Sequence, residues 1–156
     1  MIEVGNKAPG FELKDQNNNT MQLSDFEGKL ALLSFHPLAW TSICAKQMQS
    51  LEENLDRFAS LNTAPLGISV DSAPSKKAWA GSLGIKRLRL LADFWPHGGV
   101  AKLYDAFRKE EGFSERANIL VNEMGQVIFA KVYPIKELPD VEEILSLLSK
   151  QQFTVK

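Results

Sequence analysis

Residues 30–35 read Leu-Ala-Leu-Leu-Ser-Phe and lead directly into His36 and Pro37. A run that is apolar at nearly every position, rather than at every second one, belongs to a strand covered on both faces. The next segment changes period. Met48, Leu51, Leu55 and Phe58 follow at steps of three and four among mostly polar neighbours, which describes one helix over residues 44–61. Thr41 and Ser42 stand where an N-cap is needed. A doubly covered strand that feeds an amphipathic helix commits the chain to a layered α/β architecture.

The remaining segments fit that architecture. Phe11 and Leu13, then Met21 and Leu23 beyond the polar turn at 15–19, alternate at period two and predict an N-terminal hairpin. Residues 24–29 predict a turn or a single helical turn. A second buried strand is expected over 65–70. Asp71 to Ser75 then supply capping groups and Pro74 for a helix over 76–83, which Gly84 ends. A short apolar segment at 88–91 precedes a loop at 93–99 and a short helix over 100–107. Two strands, 117–121 and 127–132, flank a hairpin turn at 122–125. Pro139 and Asp140 open a last helix with Val141, Ile144, Leu145 and Leu148 on one face, and the tail from Gln151 onward is expected to fray. The order is a hairpin, then β-α-β-α, then β-β-α. It implies parallel strands with helical crossovers and an antiparallel edge. This outlines a thioredoxin-like, three-layer α/β/α fold with a mixed central sheet and an N-terminal hairpin, formed by residues 1–156 as one domain.

Composition removes several classes of function. A net charge of −1 gives no general attraction to nucleic acid or acidic lipid. The basic stretch Lys86-Arg87-Leu88-Arg89 is too short for the extended face that nucleic acid needs. No apolar run approaches the roughly 18 residues that span a membrane, and the first residues carry no signal-peptide pattern. One cysteine excludes an internal disulfide, and a cytoplasmic location is expected. The two histidines and one cysteine lie far apart in sequence, so no metal site is expected.

That cysteine, Cys44, falls in the first turn of the predicted helix, where free backbone N–H groups and the helix dipole favour a negative charge. A lone cysteine elsewhere is usually a small buried hydrophobe. Here the setting favours a thiolate. Lowering a thiol pKa from about 8.5 to about 6 raises its thiolate fraction at pH 7 from about 3% to about 90%. That thirtyfold gain is too small for an enzyme, so positioned hydrogen-bond donors must supply more.

Pro37, Thr41 and Cys44 match the P-x-x-x-T-x-x-C signature of the peroxiredoxins, the alkyl hydroperoxide reductase/thiol-specific antioxidant family. The segment from Pro37 to Cys44, and Leu90-Leu91-Ala92-Asp93-Phe94-Trp95-Pro96-His97-Gly98, resemble the one-cysteine AhpE branch more narrowly. Ser114-Glu115-Arg116-Ala117-Asn118-Ile119-Leu120-Val121 resembles the strand that carries the family's active-site arginine. The resemblance implies a thiol peroxidase. Cys44 would attack a hydroperoxide and become a sulfenic acid. Thr41 and Arg116 would hydrogen-bond the thiolate and the peroxide oxygens, and Pro37 would shield the site from water. It implies no metal, haem or flavin, an external thiol as reductant, and a homodimer.

Several residues keep a second reading. Thr41 serves also as an N-cap, Pro37 also ends a strand, and Arg116 also fits a surface position at a strand start. Trp40 and Trp95 fit packing roles. Yet Leu38, Ala39, Trp40 and Phe94 make an apolar surround that suits alkyl groups, which makes Trp40 and Phe94 candidate substrate contacts. His97 fits a loop-structuring role. His36 occupies a position usually aromatic in the family, and either tunes Cys44 or points away. Gln47 stands where many relatives have glutamate, and it still accepts a hydrogen bond. The absence of C-x-x-C argues against a thiol–disulfide oxidoreductase. A redox sensor or binding module on the same fold is the alternative to the enzyme, because fold does not decide function. An Arg116 turned away from Cys44 would favour that module.

Overall fold

The computed structural model describes the backbone of residues 1–154 and the side chains of residues 1–150. Strand β3 (Leu30–Phe35) is buried at all six positions. It runs parallel to β4 (Thr63–Ser69), from Leu30 opposite Thr63 to Phe35 opposite Ile68. On its other side it runs antiparallel to β8 (Arg116–Val121), with Leu33 opposite Ile119 and Phe35 opposite Ala117. The sheet is completed by β1 (Glu12–Lys14), β2 (Thr20–Gln22), β5 (Arg89–Ala92) and β9 (Val127–Tyr133), in the order β2-β1-β5-β4-β3-β8-β9. The sheet is mixed, as expected, and the N-terminal hairpin adds two strands at one edge.

Alternate residues of β3 serve two cores. Leu33 and Phe35 join Leu66, Ile68, Ile119 and Tyr104 on one face. Leu32 joins Met48, Trp79, Leu90, Leu120 and Leu145 on the other. The second core is covered by α1 (Ser42–Glu53), α2 (Leu55–Ser60), α3 (Ala73–Leu83) and α5 (Val141–Thr154). From β3 to β4 to β5 the chain moves one place each time in the same direction. Right-handed crossovers therefore place α1, α2 and α3 on one side of the sheet. The first core is closed by α4 (Gly99–Leu103) with Ala8 and Phe11 of the N-terminal segment. This is a thioredoxin-like α/β fold.

Local chemistry explains the boundaries. Ser72 caps α3 by accepting from the Ser75 N–H, and Gly84 ends it in the left-handed region at φ 72°. The helix expected over 44–61 is two helices. Asn54 interrupts it at φ −108°, ψ 12°, and its side-chain amide donates to the Ser50 carbonyl at 2.8 Å, the local competition with a helix that Asn favours. The helix expected to reach Phe107 stops at Leu103, because Asp105 takes a left-handed φ of 52°. Phe107 instead begins a hairpin of β6 (Phe107–Arg108) and β7 (Phe113–Ser114). Helix α5 continues to Thr154 where fraying was expected from Gln151; residues 155–156 lie outside the described residues.

Gly67 on β4 lies directly beneath α1. A Cβ there would stand 2.4 Å from Met48 Sδ and 2.8 Å from Leu90 Cδ2, and both neighbours are fully buried. Gly67→Ala is expected to destabilise the fold by about 1–3 kcal/mol through overpacking. The urea midpoint measures this, and an unchanged midpoint would mean that Met48 repacks freely.

The topology gathers loops at one end of the sheet. Strands β3, β4 and β5 are parallel, so their carboxyl ends open together, the edge at which open α/β sheets build sites. Because β8 is antiparallel to β3, its first residue, Arg116, comes to that same end beside His36.

Candidate active site

The loop after β3 bends through Pro37, which is buried, and reaches Trp40 at φ 69° before α1 begins. Thr41 is the N-cap residue and Cys44 the third residue of the helix. The thiol therefore belongs to the first turn, where the helix dipole favours a negative charge. Cys44 is 0% exposed.

Arg116, itself 3% exposed, meets it from β8. Its Nη1 donates to Cys44 Sγ at 3.3 Å and to Gln47 Oε1 at 2.8 Å, while Nε donates to the Ile135 carbonyl at 2.9 Å. Two fixed ends of a planar fork leave the guanidinium little freedom. Gln47 braces it from below, because its amide nitrogen donates to Ser34 Oγ at 2.8 Å and to the Phe35 carbonyl at 3.2 Å. The amide can accept from arginine only through its oxygen, so the network also fixes which way Gln47 points. The signal for Gln47 is its spacing: with Cys44, Met48 and Leu51 it occupies the buried stripe of α1.

A second buried cluster lies on the α3 side. His36 and Lys76 are both 0% exposed. Lys76 Nζ lies 3.2 Å from His36 Nε2 and donates to Ser69 Oγ. Ser69 Oγ donates to Asp71 Oδ2 at 2.7 Å, and the same carboxylate oxygen accepts the Ala39 N–H at 2.8 Å. The His36 ring stacks on Trp79 with centroids 5.2 Å apart. Burial, then Lys76 and Arg116, push its pKa well below the ordinary histidine value, so the ring is neutral. Of the two readings open for His36, the ring faces this cluster. Sequence reasoning missed Lys76, although its spacing from Trp79 and Ala80 puts it on the buried face of α3.

The other expected residues fall as follows. Thr41 is an N-cap by position, but its side chain makes no capping bond. Its hydroxyl donates to the Leu38 carbonyl at 2.7 Å, and a hydroxyl has only one proton to give. That proton is thus spent on the loop rather than on the thiolate. Trp40 and Trp95 do not pack inside: they are 57% and 81% exposed. The Trp40 indole N–H donates to Ser75 Oγ at 3.1 Å. Phe94, beyond the end of β5, is 54% exposed. His97 bonds the Gly112 carbonyl at 2.6 Å and sets its ring edge-on to Phe107, so it ties two loops together.

A buried thiol at a helix start, paired with a buried arginine, is the arrangement that the cysteine signature and the strand likeness at 114–121 together imply. The pattern of the AhpC/TSA family matches residues 4–130. The chain belongs to this family. Among relatives of this peroxiredoxin is alkyl hydroperoxide reductase E of Mycobacterium tuberculosis, 38% identical over 141 residues that cover 90% of this chain and 92% of the relative. The reduced 2-Cys peroxiredoxin of Plasmodium vivax superposes with a TM-score of 0.88 at 30% identity, covering 96% of this chain and 82% of that one. Enterococcus faecalis AhpC, 23% identical, shares the fold with a TM-score of 0.90 over 99% of this peroxiredoxin and 95% of its own chain.

Proposed function

We propose that this peroxiredoxin is a one-cysteine thiol peroxidase that reduces hydrogen peroxide, alkyl hydroperoxides or both. The observation that carries the reading is the Arg116 Nη1–Cys44 Sγ contact at 3.3 Å, made inside the protein at a helix N-terminus. The arginine faces the thiol rather than turning from it, the orientation that supports the enzyme over the binding module.

In the proposed reaction the Cys44 thiolate attacks the terminal oxygen of the hydroperoxide. An S–O bond forms, the O–O bond breaks, and the departing alkoxide or hydroxide takes up a proton to leave as alcohol or water. Sulfur is oxidised to the sulfenic acid. Arg116 holds the thiolate and the peroxide oxygens, with Gln47 and Ile135 keeping it in place. Pro37 limits water, and Thr41 acts mainly by fixing the loop through Leu38. Trp40 and Phe94 form the apolar surround for an alkyl group. The chain has no second cysteine, so a thiol from outside attacks the sulfenic sulfur, releases water and forms a mixed disulfide. A further thiol opens it by exchange. All electrons come from thiols, so the scheme includes no cofactor.

A homodimer in the cytoplasm with no nucleic-acid partner completes the proposal. No helix among the described residues is long and apolar enough to cross a membrane. The test is stopped-flow fluorescence of the reduced protein mixed with hydrogen peroxide and with an alkyl hydroperoxide. Trp40 lies four residues from Cys44 and serves as reporter. A rate orders of magnitude above that of a free thiol supports the enzyme. A rate no better than a free thiol leaves only the sensor.

A further inference from the structure

Lys76 is buried as completely as Cys44, and the peroxidase scheme gives it no part. A lysine removed from water persists through hydrogen bonds and charged neighbours, or by giving up its proton. The groups that face it come from every neighbouring element. Asp71 follows β4, Asp93 follows β5 and Cys44 lies on α1, and each favours the ammonium. Ser69 and His36 bond it directly, with Arg116 acting on His36 from β8. Burial outweighs these neighbours and lowers the Lys76 pKa from 10.5 to about 7. Ammonium and amine are then both populated near neutrality.

His36 registers the difference. Its Nδ1 is buried with no partner. The neutral ring carries one proton, and Lys76 decides where it sits. Against an ammonium, Nε2 must accept, so the proton lies on Nδ1. A neutral amine offers a lone pair as well as N–H groups, so Nε2 can then donate to it, which leaves the unpartnered Nδ1 with a lone pair instead of a buried N–H.

We propose that Lys76 and His36 form a proton-holding pair that positions and supports the Cys44 thiolate, adding a second buried cation beside Arg116 whenever Lys76 is protonated. This rests on Cys44 being the reacting thiolate. Neither residue touches peroxide in the scheme, so both are positioning residues. They act at two points of the loop. His36 is bonded covalently to Pro37, while the path Lys76–Ser69–Asp71 ends on the Ala39 N–H. The coupling is reciprocal: if the thiolate stabilises the ammonium, the ammonium stabilises the thiolate by the same free energy. Oxidation to the sulfenic acid removes the negative charge and loosens the Lys76 proton.

Imidazole nitrogen NMR of the native chain tests this, since only two histidines are present and a His97→Gln variant assigns them. His36 is expected to pass from the Nδ1–H to the Nε2–H tautomer with a midpoint at about pH 7, and at lower pH in Cys44→Ser, which has no thiolate. A single tautomer from about pH 5.5 to about pH 9, or the same midpoint in Cys44→Ser, overturns the proposal. Lys76→Met gives a second readout. The native peroxide rate is expected to decline above about pH 7 as Lys76 loses its proton; in the variant that decline is expected to vanish, and the acid limb to move up by about one pH unit, a tenfold loss on that limb. A profile superimposable on the native one overturns the proposal. Absence of peroxide turnover in the native chain would sink the peroxidase reading, while the tautomer titration would still report on the pair.

Discussion

Cys44→Ser abolishes peroxide consumption. The reaction needs a nucleophile that is both ionised and polarisable, and a serine hydroxyl in the same place is neither at neutral pH. Loss of a nucleophile in a well-built hydrolytic site costs on the order of 10⁶ in rate, which here places the variant at background. Even a helix start and a cation together give an ordinary thiol only about thirtyfold more thiolate at pH 7, so most of the acceleration must come from groups aimed at the sulfur and the peroxide. The variant should keep the native fold, because a hydroxyl is smaller than the thiol it replaces and so does not overpack the site, and Arg116 Nη1 donates to either. Peroxide loss measured with a small dithiol as reductant is the direct assay. Turnover retained by Cys44→Ser would remove the peroxidase assignment.

Arg116→Ala should slow the reaction by about 10²–10³, the scale of removing one positioned donor from a developing negative charge. It should also move Cys44 ionisation, followed by thiolate absorbance, to higher pH. Three contacts disappear together, to Sγ, to Gln47 Oε1 and to the Ile135 carbonyl. Gln47 is then left with a buried oxygen and no donor, which adds a stability cost of about 1–3 kcal/mol. Arg116→Lys separates the effects, since lysine keeps the charge but not the fork. It should restore most of the ionisation and little of the rate. A thiolate titration unchanged in Arg116→Ala would mean that Lys76 supplies the field alone.

The elements that build the sheet are legible because their patterns are local. The run at 30–35 reads as a doubly covered strand, and Ser72 with Gly84 marks both ends of α3. The breaks at Asn54 and Asp105 were not legible, because each depends on one side chain or one left-handed backbone angle. In the site, the sequence signature pointed to Cys44 and the likeness of the strand at 114–121 to Arg116, and the antiparallel register of β8 against β3 supplies the reason why residues 72 apart come together. The Thr41 hydroxyl could not be placed from sequence, since its choice of Leu38 depends on the fold of the loop. Lys76 was hidden by its residue type: lysine reads as solvent-facing until its helix face is counted against Trp79 and Ala80.

Lys76 also leaves its mark on the folding equilibrium. Its pKa is about 7 in the fold against an ordinary 10.5. Between those values the unfolded chain binds a proton that the native chain has released, so native stability climbs as pH rises through that window. Below about pH 7 both states hold the proton and the full penalty of the buried charge applies. The slope from this one group approaches about 1.4 kcal/mol per pH unit at its steepest. Urea midpoints between pH 7 and pH 10 should therefore rise relative to those of Lys76→Met, whereas parallel curves would mean that the lysine is charged throughout. A single lysine on the buried face of α3 thus adds cohesion to the native chain as its medium turns alkaline, against the direction in which most proteins drift.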